Sequence, residues 1–208
     1  MTSTASASSE SATAAATAGT TATATSPSRE RLLDAAAALF YREGVNIGVE
    51  ALCRAAGVSK RSMYQLFTSK DDVLAASLER AGSGYLAQLL PAPGAELPPR
   101  DRIMHVFERL ESLSASPEYL GCPFLATAFE LKDPVHPARV VARRYKDALT
   151  DFFREEASRG DAHDPDVLAR QLTIAFDGSS SRAVAQAQGL GGLAVATAAA
   201  MLDAAGMA

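Results

Sequence analysis

The chain has 208 residues, 48% hydrophobic and 21% charged, with a formal net charge of -4. These values are ordinary for a globular protein and allow one or two compact domains with a sizeable core. There is no run of about eighteen apolar residues and no basic-then-apolar leader, which argues against a membrane span and a secretion signal and points to the cytoplasm. Two cysteines far apart and three scattered histidines (His105, His136, His163) fit neither a disulfide framework nor a metal-ligand spacing, so no metal and no cofactor is expected.

Residues 1–25 are almost entirely Ala, Ser and Thr with one charge, Glu10. A segment of that composition cannot bury enough surface to offset its ordering entropy and reads as a disordered tail. A first helix is expected from Ser26, with Pro27 at its first position, to Gly44; Leu32, Leu33, Ala36, Leu39 and Phe40 share one face.

The stretch from Gly48 to Asp72 carries the strongest signal. Leu52, Cys53 and Ala56 mark the buried face of a short helix, and Gly57 follows where a left-handed residue would end it. Ser59 is a good N-cap for a second short helix whose buried face is Met63, Leu66 and Phe67. Its outer face is then Lys60, Arg61, Ser62, Tyr64 and Gln65. Small Cys53 and Gly57 permit the steep, close packing of a helix-turn-helix. Ser69 caps the next helix, with Asp72 three residues on and two acids at the positive end of the dipole. Between Arg54 and Lys70 stand four basic residues (Arg54, Lys60, Arg61, Lys70) and no acid. Charge alone fits a solvated face, but turn, caps and outward polar set together favour a phosphate-facing surface.

The remaining elements read as helices joined by punctuated loops. The helix after Ser69 carries Val73, Leu74, Leu78 and Leu86, with Gly82 and Gly84 interrupting it and making a bend plausible. Pro91 to Pro99 is a linker, and a helix spans about Arg100 to Leu113 through Ile103, Phe107 and Leu110. The run GCPF, Gly121 to Phe124, precedes a short helix through Phe129. A long amphipathic helix covers Pro137 to Arg159, with Arg139, Arg143, Arg144 and Lys146 interleaved with Asp147, Asp151, Glu155 and Glu156 in the pattern of a salt-bridged solvated face. Asp164-Pro165 opens a helix to about Gln188, and the last helix, Leu193 to Ala205, has no lysine or arginine. That apolar surface calls for a partner, most simply a second copy of the chain.

The run AAGVSKRSMYQLFTSKDDVL, preceded by RERLLDAAAALFYREGV, resembles the DNA-binding domain of the TetR family of bacterial transcription regulators. The matching positions are Leu39 and Phe40, Ala56 to Ser59, Tyr64 and Phe67, and Ser69 and Lys70, over about fifty residues. Two departures stand out: Gly48 replaces a threonine that caps the helix and touches phosphate, and Gln65 replaces a histidine or tyrosine. The resemblance implies an all-α chain: an N-terminal three-helix DNA-binding domain (26–80) joined to a C-terminal helical ligand-binding and dimerisation domain (81–208). It implies a double-stranded DNA partner, a homodimer through the last two helices, a palindromic operator and a small-molecule effector. Ser59, Lys60, Arg61, Ser62, Tyr64, Gln65 and Lys70 are the expected DNA-contacting set. Tyr64, Lys60 and Lys70 would fix register on phosphates, while Arg61, Ser62 and Gln65 would approach base edges.

In the body, Phe107, Leu110, Phe124, Phe129, Tyr145, Phe152 and Phe176 come from separate helices and would either fill the core or line an effector pocket, with Cys122, Tyr145 and Asp177 as polar contacts. The rival readings are a helical sensor or adaptor acting through protein partners and a small-molecule-transforming enzyme. The chain has no phosphate-cradling glycine loop and no G-x-S-x-G, and Ser179 to Ser181 beside Asp177 fall inside a helix, a poor oxyanion site.

Overall fold

The computed structural model describes residues 26–207. The expected N-terminal tail, residues 1–25, lies outside them. The described residues form helices and no strands: α1 (Pro27–Glu43), α2 (Val49–Ala56), α3 (Lys60–Leu66), α4 (Lys70–Leu89), α5 (Pro99–Ser114), α6 (Pro123–Glu130), α7 (Pro137–Arg159), α8 (Pro165–Gln186) and α9 (Leu193–Ala204).

Local chemistry sets the ends of the first elements. Gly57 ends α2 in the left-handed region (φ 61°), and the Val58 N–H donates back to the Cys53 carbonyl at 3.0 Å. That conformation costs a residue with a Cβ more than it costs glycine. Ser59 and Ser69 cap α3 and α4, accepting from the backbone N–H of Ser62 (3.0 Å) and of Asp72 (3.1 Å). Gly48 precedes α2 and supplies no side-chain cap.

Leu32, Ala36, Leu52, Cys53, Ala56, Met63 and Val73 form the core of the head, so α1 braces α2 and α3 while the first turn of α4 closes the cluster. Cys53 Sγ lies 3.9 Å from Met63 Sδ; a larger residue at 53 would push α3 away. The body has its own core, with Phe107, Leu110, Phe153, Leu168, Leu172 and Phe176 fully or almost fully buried between α5, α7 and α8. Phe107 stacks on Phe153 at 5.8 Å and meets Phe176 edge-on at 6.3 Å. Each such side chain contributes about 1.5–3 kcal/mol by burial alone.

Helix α4 joins the two, packing on α1 at one end and on α7 along its length. It runs unbroken through Gly82 and Gly84, so the expected interruption does not occur. Gly82 serves close approach instead: a Cβ there would sit 2.1 Å from Tyr145 Cζ. The Tyr145 hydroxyl donates to the Glu79 carbonyl (2.9 Å), and Arg144 pairs with the Glu79 carboxylate, so α7 grips one turn of α4.

The charged side of α7 also differs from the expected pattern of pairs within one helix. Arg144 reaches Glu79 on α4, Lys146 reaches Asp177 on α8, and Arg154 reaches Asp166 at the start of α8 as well as Asp151. Glu156 is buried rather than solvated. Its carboxylate accepts from Arg102 Nε on α5 (2.7 Å) and from Arg159 (2.8 Å), which satisfies both oxygens. The sequence pattern identified the acids but not the helices they would face.

Candidate nucleic-acid interface

Helix α3 buries Met63 and turns Lys60, Arg61, Tyr64 and Gln65 to solvent, Tyr64 with 54% of its surface exposed. Its first turn is held by the Ser59 cap. The Ser59 and Ser62 hydroxyls lie 2.9 Å apart, so Ser62 shares the cap rather than standing free. Arg29 of α1 sits over the Phe67 ring at 5.2 Å, a cation–π contact that pins the end of α3 to the bracing helix.

Two of the expected phosphate contacts have protein partners. Lys60 Nζ donates to the Glu50 carboxylate at 2.6 Å. This pairing pushes the Lys60 ammonium above its usual range and holds Glu50 below the usual carboxylate range. Both side chains are exposed, so the pair is screened and adds little to stability. Its effect is local: an acid from α2 stands beside the basic stretch that the sequence shows free of acids, because the contact crosses the turn. Lys70 Nζ donates to the Val45 carbonyl at 2.9 Å and fastens the α1–α2 loop to α4. An ammonium has three donors, which leaves two for a phosphate. Arg61 and Gln65 are exposed at the side-chain level. The Cys53 thiol is pushed up by burial, as suits an inert core residue.

The body residues expected around an effector separate into groups. Phe107, Leu110 and Phe176 belong to the packed α5–α7–α8 core, with Phe152 partly buried against it. Cys122 and Phe124 are buried in a second cluster with Leu78 and Ala142, against which Tyr145 packs; Tyr145 stacks on Phe124 at 4.7 Å. Phe129 is 63% exposed, and Asp177 is paired with Lys146, whose ammonium lies 5.0 Å from the Phe176 ring centroid. The set therefore does not converge on one cavity. Sequence reasoning missed Tyr41, Tyr85 and Tyr119, which line a cavity beside α4. They lie on three elements and form no sequence pattern.

Between α8 and α9, Val167, Leu193, Ala196, Ala200 and Met201 line a mainly apolar groove of about 730 Å³, whose wall also holds His163, Asp164, Gln171 and Thr197. Among the described residues no helix is long and apolar enough to cross a membrane.

Residues 32–77 match the sequence profile of the bacterial regulatory proteins of the TetR family. The fold is similar to that of a TetR transcriptional regulator from Streptomyces avermitilis: 58% identity, 88% of this chain and 100% of that one covered, TM-score 0.85. It is also similar to the TetR-family regulator SCO4454 of Streptomyces coelicolor, at 26% identity over 86% of this chain and 94% of that one, TM-score 0.74. The HTH-type transcriptional regulator YjdC of Escherichia coli is 24% identical over 161 residues, 74% of this chain and 82% of its own length. With an all-helical fold and 58% identity over 88% of its length to a TetR regulator, the chain belongs to the TetR family of bacterial transcription regulators, DNA-binding proteins rather than enzymes.

Proposed function

We propose that this protein is a cytoplasmic, ligand-responsive repressor that binds a palindromic operator as a homodimer. The observation that carries the reading is the outward face of α3, where Arg61, Tyr64 and Gln65 are solvent-exposed on a helix fixed by its Ser59 cap. Arg61, Ser62 and Gln65 approach base edges; Tyr64, Lys60, Lys70 and the capped turn at Ser59 set register on phosphates. One short recognition helix discriminates weakly, whereas two at about 34–36 Å read a palindrome. The apolar groove of α8 and α9 supports the second copy's place, since that surface is costly to leave in water.

Effector binding in the body favours a head spacing that no longer matches adjacent major grooves, by differential affinity for two states. Cys122, Phe124 and Tyr145 pack against α4 and pass the change on, while Phe107, Leu110, Phe152 and Phe176 form the wall behind them. Asp177, paired with Lys146, and the exposed Phe129 stand outside that cluster.

Selection of genomic fragments by the purified protein at two salt concentrations, with Arg61→Ala alongside, tests the reading. Recovery of one palindromic site that the variant no longer prefers is the expected result. No enriched site at either salt overturns it and favours an adaptor acting through protein partners. Sedimentation of Ala200→Glu tests the dimer: a charge in the groove should leave a monomer, and an unchanged dimer refutes that interface.

A further inference from the structure

We propose that Arg61 and Gln65 are the two residues of α3 that select bases, Arg61 a guanine and Gln65 an adenine, at positions of the operator half-site within about three base pairs of each other. The inference rests on the DNA-binding reading above, narrows its base-reading set and names the bases.

The single buried residue of α3, Met63, fixes which way the helix faces. At about 100° per residue, Arg61 and Gln65 each stand roughly 160° from Met63, so together they form the ridge farthest from the core. Ser62 and Tyr64 stand about 100° from Met63, one on each flank, and Lys60 only about 60° from it. Exposure follows the same order on the Ser62 side: Arg61 and Gln65 are exposed, and Ser62 is half-buried. A helix in the major groove sets its outermost ridge against base edges and its flanks against the groove walls, where the phosphates lie.

Hydrogen bonding singles out the same pair. Lys60 is paired with Glu50 at 2.6 Å, the Ser62 hydroxyl lies 2.9 Å from that of Ser59, and Lys70 donates to the Val45 carbonyl at 2.9 Å. Arg61 and Gln65 take no part in the hydrogen bonds or ion pairs among the described residues, so neither breaks a contact to reach DNA. Their free groups are two different forks. The Arg61 guanidinium holds only donors, and guanine alone presents two acceptors, N7 and O6, on its major-groove edge. The Gln65 amide holds a donor beside an acceptor, and adenine alone presents the complement, acceptor N7 beside donor N6.

Helix geometry also sets the spacing. Four residues separate the two side chains by about 6 Å along the axis, and bases rise about 3.4 Å along a strand, so the ridge spans about two base-pair steps. The length of the side chains adds about one more. Both copies of a dimer carry the same ridge, so the two bases recur, inverted, in the second half-site.

The test uses the full chain and a randomised duplex library, from which the parent, Arg61→Ala and Gln65→Ala each select sites. Both side chains are exposed, and salt-sensitive non-specific DNA binding verifies that each variant is folded. Arg61→Ala should lose its preference at one G·C pair of each half-site, and Gln65→Ala at one A·T pair within about three positions of it, with every other position kept. In the parent's site, replacing that guanine by 7-deazaguanine, which lacks the N7 acceptor, should weaken parent binding roughly fivefold or more and leave Arg61→Ala unaffected. 7-Deazaadenine should discriminate between parent and Gln65→Ala in the same way. The slope of affinity against salt should be equal in Arg61→Ala and parent, because no phosphate contact is lost. The inference is overturned if either variant keeps the parent's preference at every position, if the pairs released are of the wrong kind or lie farther apart, or if the Arg61→Ala slope falls by about one charge, which assigns Arg61 to a phosphate. Those outcomes leave the regulator reading standing; the absence of any selected site for the parent overturns both.

Discussion

Glu130 at the end of α6 accepts a hydrogen bond from the Val45 backbone N–H at 2.8 Å, while Lys70 of α4 donates to the carbonyl of the same Val45. One residue of the α1–α2 loop is thus held by the body through its N–H and by α4 through its carbonyl. Replacing Glu130 by Ala should cost about 1 kcal/mol, below the range for a buried charged hydrogen bond because this carboxylate is exposed. Thermal unfolding of the variant measures that loss. DNA affinity should persist, since the α3 face is untouched, while the response to effector should weaken; an unchanged response would remove Glu130 from the coupling route.

Gly82 and Gly84 lie two residues apart on α4 and should respond oppositely to the same substitution. Alanine at 84 meets open space and gains helix propensity, a stabilisation of up to about 1 kcal/mol. Alanine at 82 would overlap the Tyr145 ring, and the overpacking, about 1–3 kcal/mol, outweighs the propensity gain. Denaturant midpoints of the two variants decide the matter. Equal effects at both sites would refute the close approach of α4 and α7.

The Glu50–Lys60 pair predicts a variant with tighter DNA binding. Glu50→Gln removes a carboxylate from beside the recognition helix and frees the Lys60 ammonium. Operator affinity should rise roughly threefold to tenfold at low salt and converge on the parent's as salt screens the surface. Titration of a labelled duplex at several salt concentrations measures it. Lower affinity in Glu50→Gln would mean that the carboxylate orients Lys60 toward phosphate instead of competing for it.

Tyr41, Tyr85 and Tyr119 predict a stability loss in alkali. Their folded-state values are raised by burial, Tyr119 to about 12, above an unfolded value of about 10. Above the unfolded value the unfolded chain has released these protons and the folded chain has not. The stabilisation is therefore complete below about pH 10 and is lost as pH rises toward the folded values. Phenolate absorbance of the native and urea-unfolded chain, with Tyr119→Phe beside it, follows the effect; the variant should lose part of the alkaline slope, and an unaltered slope would contradict the burial argument.

The amino-acid sequence by itself determined the helices and their ends, because those depend on residues close along the chain. Pro27, Gly57, Ser59, Ser69 and Asp164 act within one turn, and α3, α7 and α9 run very nearly where cap and period place them. The exposed set on α3 was legible for the same reason: a seven-residue helix with one buried residue leaves little choice of face. Only the tertiary structure decided which charges meet. Glu50 reaches Lys60 across a turn, Glu156 is buried under α5, and Lys70 binds a loop carbonyl 25 residues away. The body's aromatics show the same limit, since periodicity tells that Phe107 and Phe124 face inward but not that they face different clusters. Tyr41, Tyr85 and Tyr119 share a wall through the packing of α1, α4 and the α5–α6 connection, and long-range packing leaves no local pattern in a sequence.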